Sequence, residues 1–473
     1  MSENTTEISR RGGPSLREEL HSAFGTSLGM AGVLISTIFF VLSVAGLIGY
    51  TAGLINNPYF VIVTILLFPA CMFSGLLLIP LAVCLGGRKR GKEGLAGWRI
   101  DLTNVRHRRI ITLVCVLSVV NVVFFTLVAQ KGYRFMGSPA FCGLACHRVM
   151  GPEYDTHGRS SHAKVDCLQC HAAPGFDGFL QAKFSGLGRF KGMITGQYSR
   201  PLSAPVKDLL SVATACGRCH QSDRYSGSKV KTFVHYTNTD QENPEHQEII
   251  LNVGGRNPLT DMPEGIHRHA GSGITIEYQP LNEKRTRIGA VRVSRADGVI
   301  KEYRLPGGDD GKNASAGHWR TMDCTDCHNR SAHAFDSPIE KVDSGLNSGK
   351  IDPRLTGIRE DSLAVLKREY KTRLEAKERI AFDLLKLQEQ RNGQDYIKTH
   401  RAAITQAGAF LAKVYQDNVW PEMKITWGTY KDHIGHRYSK EGYGCFRCHD
   451  DKHATDTGET ISQDCGLCHA EPE

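Results

Sequence analysis

No aspartate, glutamate, lysine or arginine occurs between Ser22 and Gly87. That absence excludes a wholly water-soluble chain, because a soluble fold must show charge to solvent far more often. No small-residue cleavage site follows the first apolar run, and the run is too long for the core of a signal peptide, so it is expected to be retained. Acidic residues are nearly missing from one loop. Arg88, Lys89, Arg90, Lys92, Arg99, Arg106, Arg108 and Arg109 are opposed there only by Glu93 and Asp101. At 473 residues the chain is far beyond a small disulfide-stapled domain.

The apolar runs cover roughly 29–54, 59–85 and 110–130, and the third has no charge. Each is long enough to cross a hydrocarbon core of about 30 Å at a rise of about 1.5 Å per residue. By the positive-inside rule the basic loop, 86–109, is cytoplasmic. The N-terminal 28 residues then share that side, and everything after Gln130 lies outside. This topology accounts for the basic cluster within the formal charge of +9, so a nucleic-acid partner is not expected.

Of 15 cysteines, Cys71, Cys84 and Cys115 lie in the apolar runs and read as inert packing residues. The other 12 form six short pairs, each followed directly by histidine. Five read C-x-x-C-H: Cys167/Cys170/His171, Cys216/Cys219/His220, Cys324/Cys327/His328, Cys445/Cys448/His449 and Cys465/Cys468/His469. The sixth, Cys142/Cys146/His147, has one extra residue between its cysteines. Two thiols at this spacing form thioethers to the vinyl groups of one haem, and the adjacent histidine reaches its iron. Zinc knuckles would pair C-x-x-C units without a fixed histidine after each. Disulfides would not need the histidine at all. Six covalent haems c are therefore expected.

Histidine supply exceeds this demand. Of 20 histidines, six belong to the motifs and His21 and His107 fall on the cytoplasmic side, leaving 12 outside. Mostly bis-histidine iron is expected, which carries electrons and leaves no open position for substrate. His162, His318, His333, His436 and His453 are the first choices as distal ligands, followed by His157, His235, His267, His269 and His433. Met150, three residues after His147, is either a soft ligand to the first iron or a residue packed on its porphyrin.

Several segments resemble the membrane-anchored quinol dehydrogenases of the NapC/NirT/NrfH type. The match runs from Phe141-Cys142 through Met150, then Tyr154, Ser161-His162, Cys167 to His171 and Ala182-Lys183. It resumes at His318-Trp319-Arg320-Thr321-Met322, before Cys324, and at Ser331-Ala332-His333. The resemblance covers about 110–335, with an insert. It implies oxidation of menaquinol or ubiquinol at the membrane surface, beside the haem of Cys142 and Cys146. It also implies that Lys183 lines the quinol pocket, the other reading of Lys183 being a charge at the lipid boundary. The family's nearby acidic residue has no counterpart, since Arg189, Phe190 and Lys191 stand there. Three spans in place of one, the stretched first motif and two further motifs are departures. They are similar to features of larger multihaem quinol oxidases of anaerobic bacteria.

The expected fold class is a membrane-anchored multihaem cytochrome c. Three transmembrane helices (29–130) precede a mostly helical or irregular, haem-packed periplasmic region. That region comprises a tetrahaem NapC/NirT-like domain (131–335), with a small β insert at about 240–310, and a helical region with a C-terminal dihaem module (336–473). Alternating residues in 273–305 predict two or three strands. Leu363, Leu366, Tyr370, Leu374, Ile380 and Leu384 predict helices over 355–417, divided at Asn392-Gly393 and ended by Trp420-Pro421. These helices are expected to pack on the terminal haems. The resulting expectation is an inner-membrane quinol dehydrogenase serving periplasmic multihaem cytochromes or a reductase in anaerobic respiration. The alternatives are an electron-relay subunit beside other membrane-complex subunits and, against the histidine excess, a terminal reductase.

Overall fold

The computed structural model describes residues 27–55, 57–89, 103, 105–146, 148–204, 210–220, 227–238, 242–256, 259, 263–306 and 318–470. The first 26 residues, most of the basic loop (90–102) and His147 lie outside the described residues. The chain forms two compact units, Met1–Cys146 and His147–Glu473.

The first unit holds three helices long and apolar enough to cross a membrane. These are α1 (Ser27–Thr51), a second built from α2 (Pro58–Ile62), a π turn (Val63–Leu67) and α3 (Phe68–Lys89), and α4 (Val105–Gly137). Asn57-Pro58, which breaks the apolar pattern, also starts the second helix. The Asn57 side chain accepts from Tyr59 N at 2.9 Å, and Pro58 occupies the first turn. At 33 residues, α4 is longer than its charge-free run. Arg108, Arg109, Lys131 and Arg134 extend its ends, where long cationic side chains carry their charge past the apolar zone. Close backbone approach joins α1 to α3. A Cβ on Gly32 would stand 2.9 Å from Gly75 O, and one on Gly75 2.6 Å from Ser36 Oγ. Small residues make this contact because lipid tails already satisfy apolar side chains, leaving close packing to drive association. Leu34, Val41, Leu77, Val119 and Val122 are exposed, as lipid-facing positions are.

The second unit opens with α5 (Gly151–Arg159) and α6 (Gly175–Thr195), and continues into two small antiparallel sheets. In the first, β1 (Gly227–His235) pairs along its length with β2 (Glu245–Arg256), which also carries the two-residue strands β3 (Pro263–Glu264) and β8 (His469–Ala470). The second sheet has the order β6–β5–β4–β7, from β4 (Ile274–Pro280), β5 (Ile288–Arg295), β6 (Ile300–Arg304) and β7 (Arg320–Thr321). Its strands β4 to β6 fall where alternation predicts them. The β1–β2 hairpin was not predicted: β1 is exposed along most of its length, so no half-buried alternation marks it.

Four helices follow: α7 (Pro338–Asn347), α8 (Ile358–Leu366), α9 (Arg373–Asn392) and α10 (Gln394–Asn418). Val342, Ile351, Ile358, Leu366, Ile380, Leu384, Ile404 and Leu411 close their core. Leu374, predicted on the same face, is exposed. Thr372 caps α9 by accepting from Glu375 N at 3.0 Å, which starts a new helix and resets the period. This bundle packs on α5, where Arg373 meets Asp155 at 3.1 Å and α10 is bonded by Arg159 at Asp417 O, 2.5 Å. It also packs on Tyr236 and Val234 at the end of β1. Toward the last module it offers the Glu340–Arg437 ion pair at 2.5 Å.

Candidate haem-binding sites

Each motif sits on one tight turn. Cys142 and Cys146 lie on a π turn, Ala140–Cys146. Bonding from i to i+5 widens a turn by a residue, which accommodates the extra residue between these cysteines. Cys167–His171 and Cys324–Cys327 are single α turns. The Cys216 turn follows the short helix Val212–Ala215 and is closed by His220 N donating to Cys216 O at 2.8 Å. Cys445–Arg447 and Cys465–Leu467 are 3-10 turns. A single turn returns residues three apart to one face, as two thiols on one macrocycle require.

The last five motifs are neighbours in chain order. Burial raises the Cys170 thiol above its ordinary range, and nearby Cys219 adds to the rise. Burial likewise raises Cys216, with Cys324 and Cys170 adding to it. Cys327 is pushed up to about 12 by burial, with Cys445 adding. Cys448 is also pushed to about 12 by burial, and Cys327 contributes. Cys468 is raised by burial and then by Cys445. The thiols thus form a file from the second motif to the sixth.

Histidine rings face one another along this file. His171 lies 6.4 Å from His333, His220 6.0 Å from His162, and His328 6.3 Å from His267. His449 lies 6.0 Å from His269, and His469 6.4 Å from His436. Two imidazoles on opposite sides of one metal, each at a metal–nitrogen distance of about 2 Å, have ring centres roughly 6 Å apart. Ordinary aromatic contacts share this range, so the identities carry the argument. Each of these pairs joins one motif histidine to one from outside any motif. Backbone carbonyls orient several rings. His333 Nδ1 donates to Glu153 O at 3.0 Å, His269 Nδ1 to Ile266 O at 2.7 Å and His449 Nδ1 to Ser462 O at 2.8 Å. A proton held on Nδ1 leaves the Nε2 lone pair for a metal.

A curated relative, the cytochrome c-type protein ImcH of Geobacter sulfurreducens, is 34% identical over 424 residues, which is 88% of this chain and 82% of that protein. This chain belongs to the NapC/NirT-like multihaem cytochromes c. No protein-family model matches it, and no solved structure matches it. The kinship and the three membrane-length helices make this cytochrome a multi-pass inner-membrane electron-transport protein with a periplasmic haem region. Its cofactor is covalently bound haem c, and the paired rings beside the cysteine turns fit that group.

Other sequence-predicted residues of the cytochrome stand differently. Both ring nitrogens of His453 meet acceptors, Asp450 Oδ1 at 3.0 Å and Ile288 O at 3.1 Å. His433 is buried, with Nδ1 3.1 Å from Asp326 O and its ring against Tyr443. His235 stacks on Phe233 at the exposed end of β1. His318 is exposed. His157 is buried 6.0 Å from His333, so His333 has two ring neighbours. Met150 is half-buried at the end of a 3-10 turn, Arg148–Met150. Lys183 lies on α6 with Nζ 5.3 Å from the Phe179 ring centre. Cys146 is described in its backbone turn only.

Sequence reasoning missed the residues that join the fourth motif to the second sheet. Asp326 is buried and accepts from Tyr278 Oη at 2.5 Å and Arg285 at 2.9 Å. Burial alone would raise its pKa, but the Tyr278 hydrogen bond, the Asp323 backbone amide and the two arginines, Arg320 and Arg285, bring it below the usual carboxylate range. Arg447, within the fifth motif, donates to Asp326 O at 2.7 Å and Arg285 O at 2.8 Å. These partners are far apart in the chain, and no local pattern marks them.

Proposed function

We propose that this cytochrome oxidises membrane quinol and passes the electrons through six covalently bound haems to periplasmic multihaem cytochromes or a periplasmic reductase. The file of neighbouring motifs, each beside a crossed pair of histidines, carries this reading. When bound, haem c supplies one-electron carriage. His171 with His333, His220 with His162, and His469 with His436 are the residues that would hold the haems of their motifs, and iron held by two histidines would carry electrons without binding substrate. Cys142, Cys146 and His147 would hold a further haem, with Met150 as a candidate soft ligand to it. The motif resemblance supports menaquinol or ubiquinol as substrate, with Lys183 steadying the oxygen that becomes anionic as the proton leaves.

The test is reduction of the purified, membrane-reconstituted chain by a quinol analogue. The wild-type haems become reduced. In Lys183→Ala that reduction slows by roughly tenfold or more, while dithionite reduction and haem count stay as in wild type. A normal quinol rate in the variant makes Lys183 a boundary charge. A wild-type chain that takes no electrons from quinol replaces this reading with that of a relay subunit serving a separate quinol-oxidising partner.

A further inference from the structure

The insert between the third and fourth motifs contains a 3-10 turn, Ile266–Ala270, with two histidines. His267 faces His328 of the fourth motif at 6.3 Å, with rings inclined by 21°. His269 faces His449 of the fifth motif at 6.0 Å, with rings inclined by 79°. In a 3-10 helix of three residues per turn, side chains two apart diverge by about 120°, so one turn can serve two neighbours in different directions.

The turn is firmly seated. Just before it, Glu264 and Pro263 pair with Gly255 and Arg256 of β2. Gly265 has φ 70° and ψ −168°, a conformation only glycine adopts easily. A Cβ there would stand 2.7 Å from both Asn252 Oδ1 and Gly254 N. After the turn, a Cβ on Gly271 would stand 2.8 Å from Pro263 Cβ. The hydrogen bond from His269 Nδ1 to Ile266 O, within the turn, turns Nε2 outward.

We propose that this turn supplies the distal ligand to two different haem irons, His267 to the haem of Cys324 and Cys327 and His269 to that of Cys445 and Cys448. The insert is then a clamp that fixes two successive carriers through five residues. Arg447 and Asp326 reinforce the same junction from the motif side. The inference rests on the reading that these motifs bind haem c, and it adds the identity and common origin of the two ligands.

The experiment counts haem and quantifies high-spin ferric haem by electron paramagnetic resonance in the full-length chain. His267→Ala and His269→Ala each raise the high-spin count by one haem per chain over wild type, and the double variant raises it by two. Gly265→Val keeps both histidines but unseats the turn, so both haems lose low-spin character. His235→Ala, on the exposed strand end, leaves the count at the wild-type value. If an alanine variant fails to mature, His267→Met and His269→Met replace it, each expected to give a methionine-to-iron charge-transfer band. Fully haem-loaded alanine variants with a wild-type spin count overturn the inference, as do methionine variants without that band. Conversion of the same haem by both single variants overturns the shared-clamp claim. A wild-type chain lacking covalent haem on these two motifs would instead contradict the underlying haem reading.

Discussion

The helical bundle and the motif turns of the periplasmic unit are built on opposite terms. In the bundle α7–α10, Val342, Ile358, Leu384, Ile404 and Leu411 are fully buried by other side chains. In the turns Cys167–His171, Cys445–Arg447 and Cys465–Leu467, and in the Val212–Ala215 helix before the third motif, every residue is half-buried or exposed. One region supplies its own apolar core. The other is held by hydrogen-bonded turns, by histidine pairs and by a few buried polar anchors such as Asp326. A fold of this kind divides its stability between sequence and prosthetic group.

The largest expected effect comes from withholding haem. A chain produced without covalent haem attachment should keep slow hydrogen exchange in α9 and α10 while the motif turns exchange freely. Equal protection in both regions would break the contrast. A smaller effect is expected from Leu384→Ala, which removes a fully buried side chain and should destabilise the bundle by about 2–5 kcal/mol. Local exchange of α9 and α10 amides reads this cost, and the visible haem spectrum should not change.

Smaller again is Asp361→Ala. Asp361 accepts from Gln388 at 2.7 Å and from Arg391 at 2.7 Å. Its loss leaves the fully buried Gln388 side chain short of a partner, at a cost of about 1–3 kcal/mol. The same exchange measurement reads it. A loss of haem from this variant would show that the bundle and the motif turns are not separable.

The two regions were also unequally legible. The membrane helices follow from charge-free runs, because lipid imposes one simple demand. The bundle follows from three- and four-residue spacing, except at Leu374, where the Thr372 cap resets the phase. The strands of 274–304 follow from alternation, whereas β1, exposed along most of its length, leaves no such trace. At the haem sites the sequence announces the cysteines and the adjacent histidines, since thioether chemistry dictates their spacing. It does not announce which remote histidine faces which motif. His318 and His453 look as suitable as His162 or His436 in the sequence. In the structure His162 and His436 face motif rings, while His453 meets Asp450 and Ile288 with its two nitrogens. The pairs cross long stretches of chain, and no local spacing encodes such contacts.

The most direct test of the account is spin quantitation on the oxidised wild-type chain, combined with near-infrared magnetic circular dichroism, which distinguishes histidine–histidine from histidine–methionine iron. The paired rings of the second to sixth motifs predict five low-spin haems with two histidine ligands each. A majority of high-spin or histidine–methionine haems would contradict it.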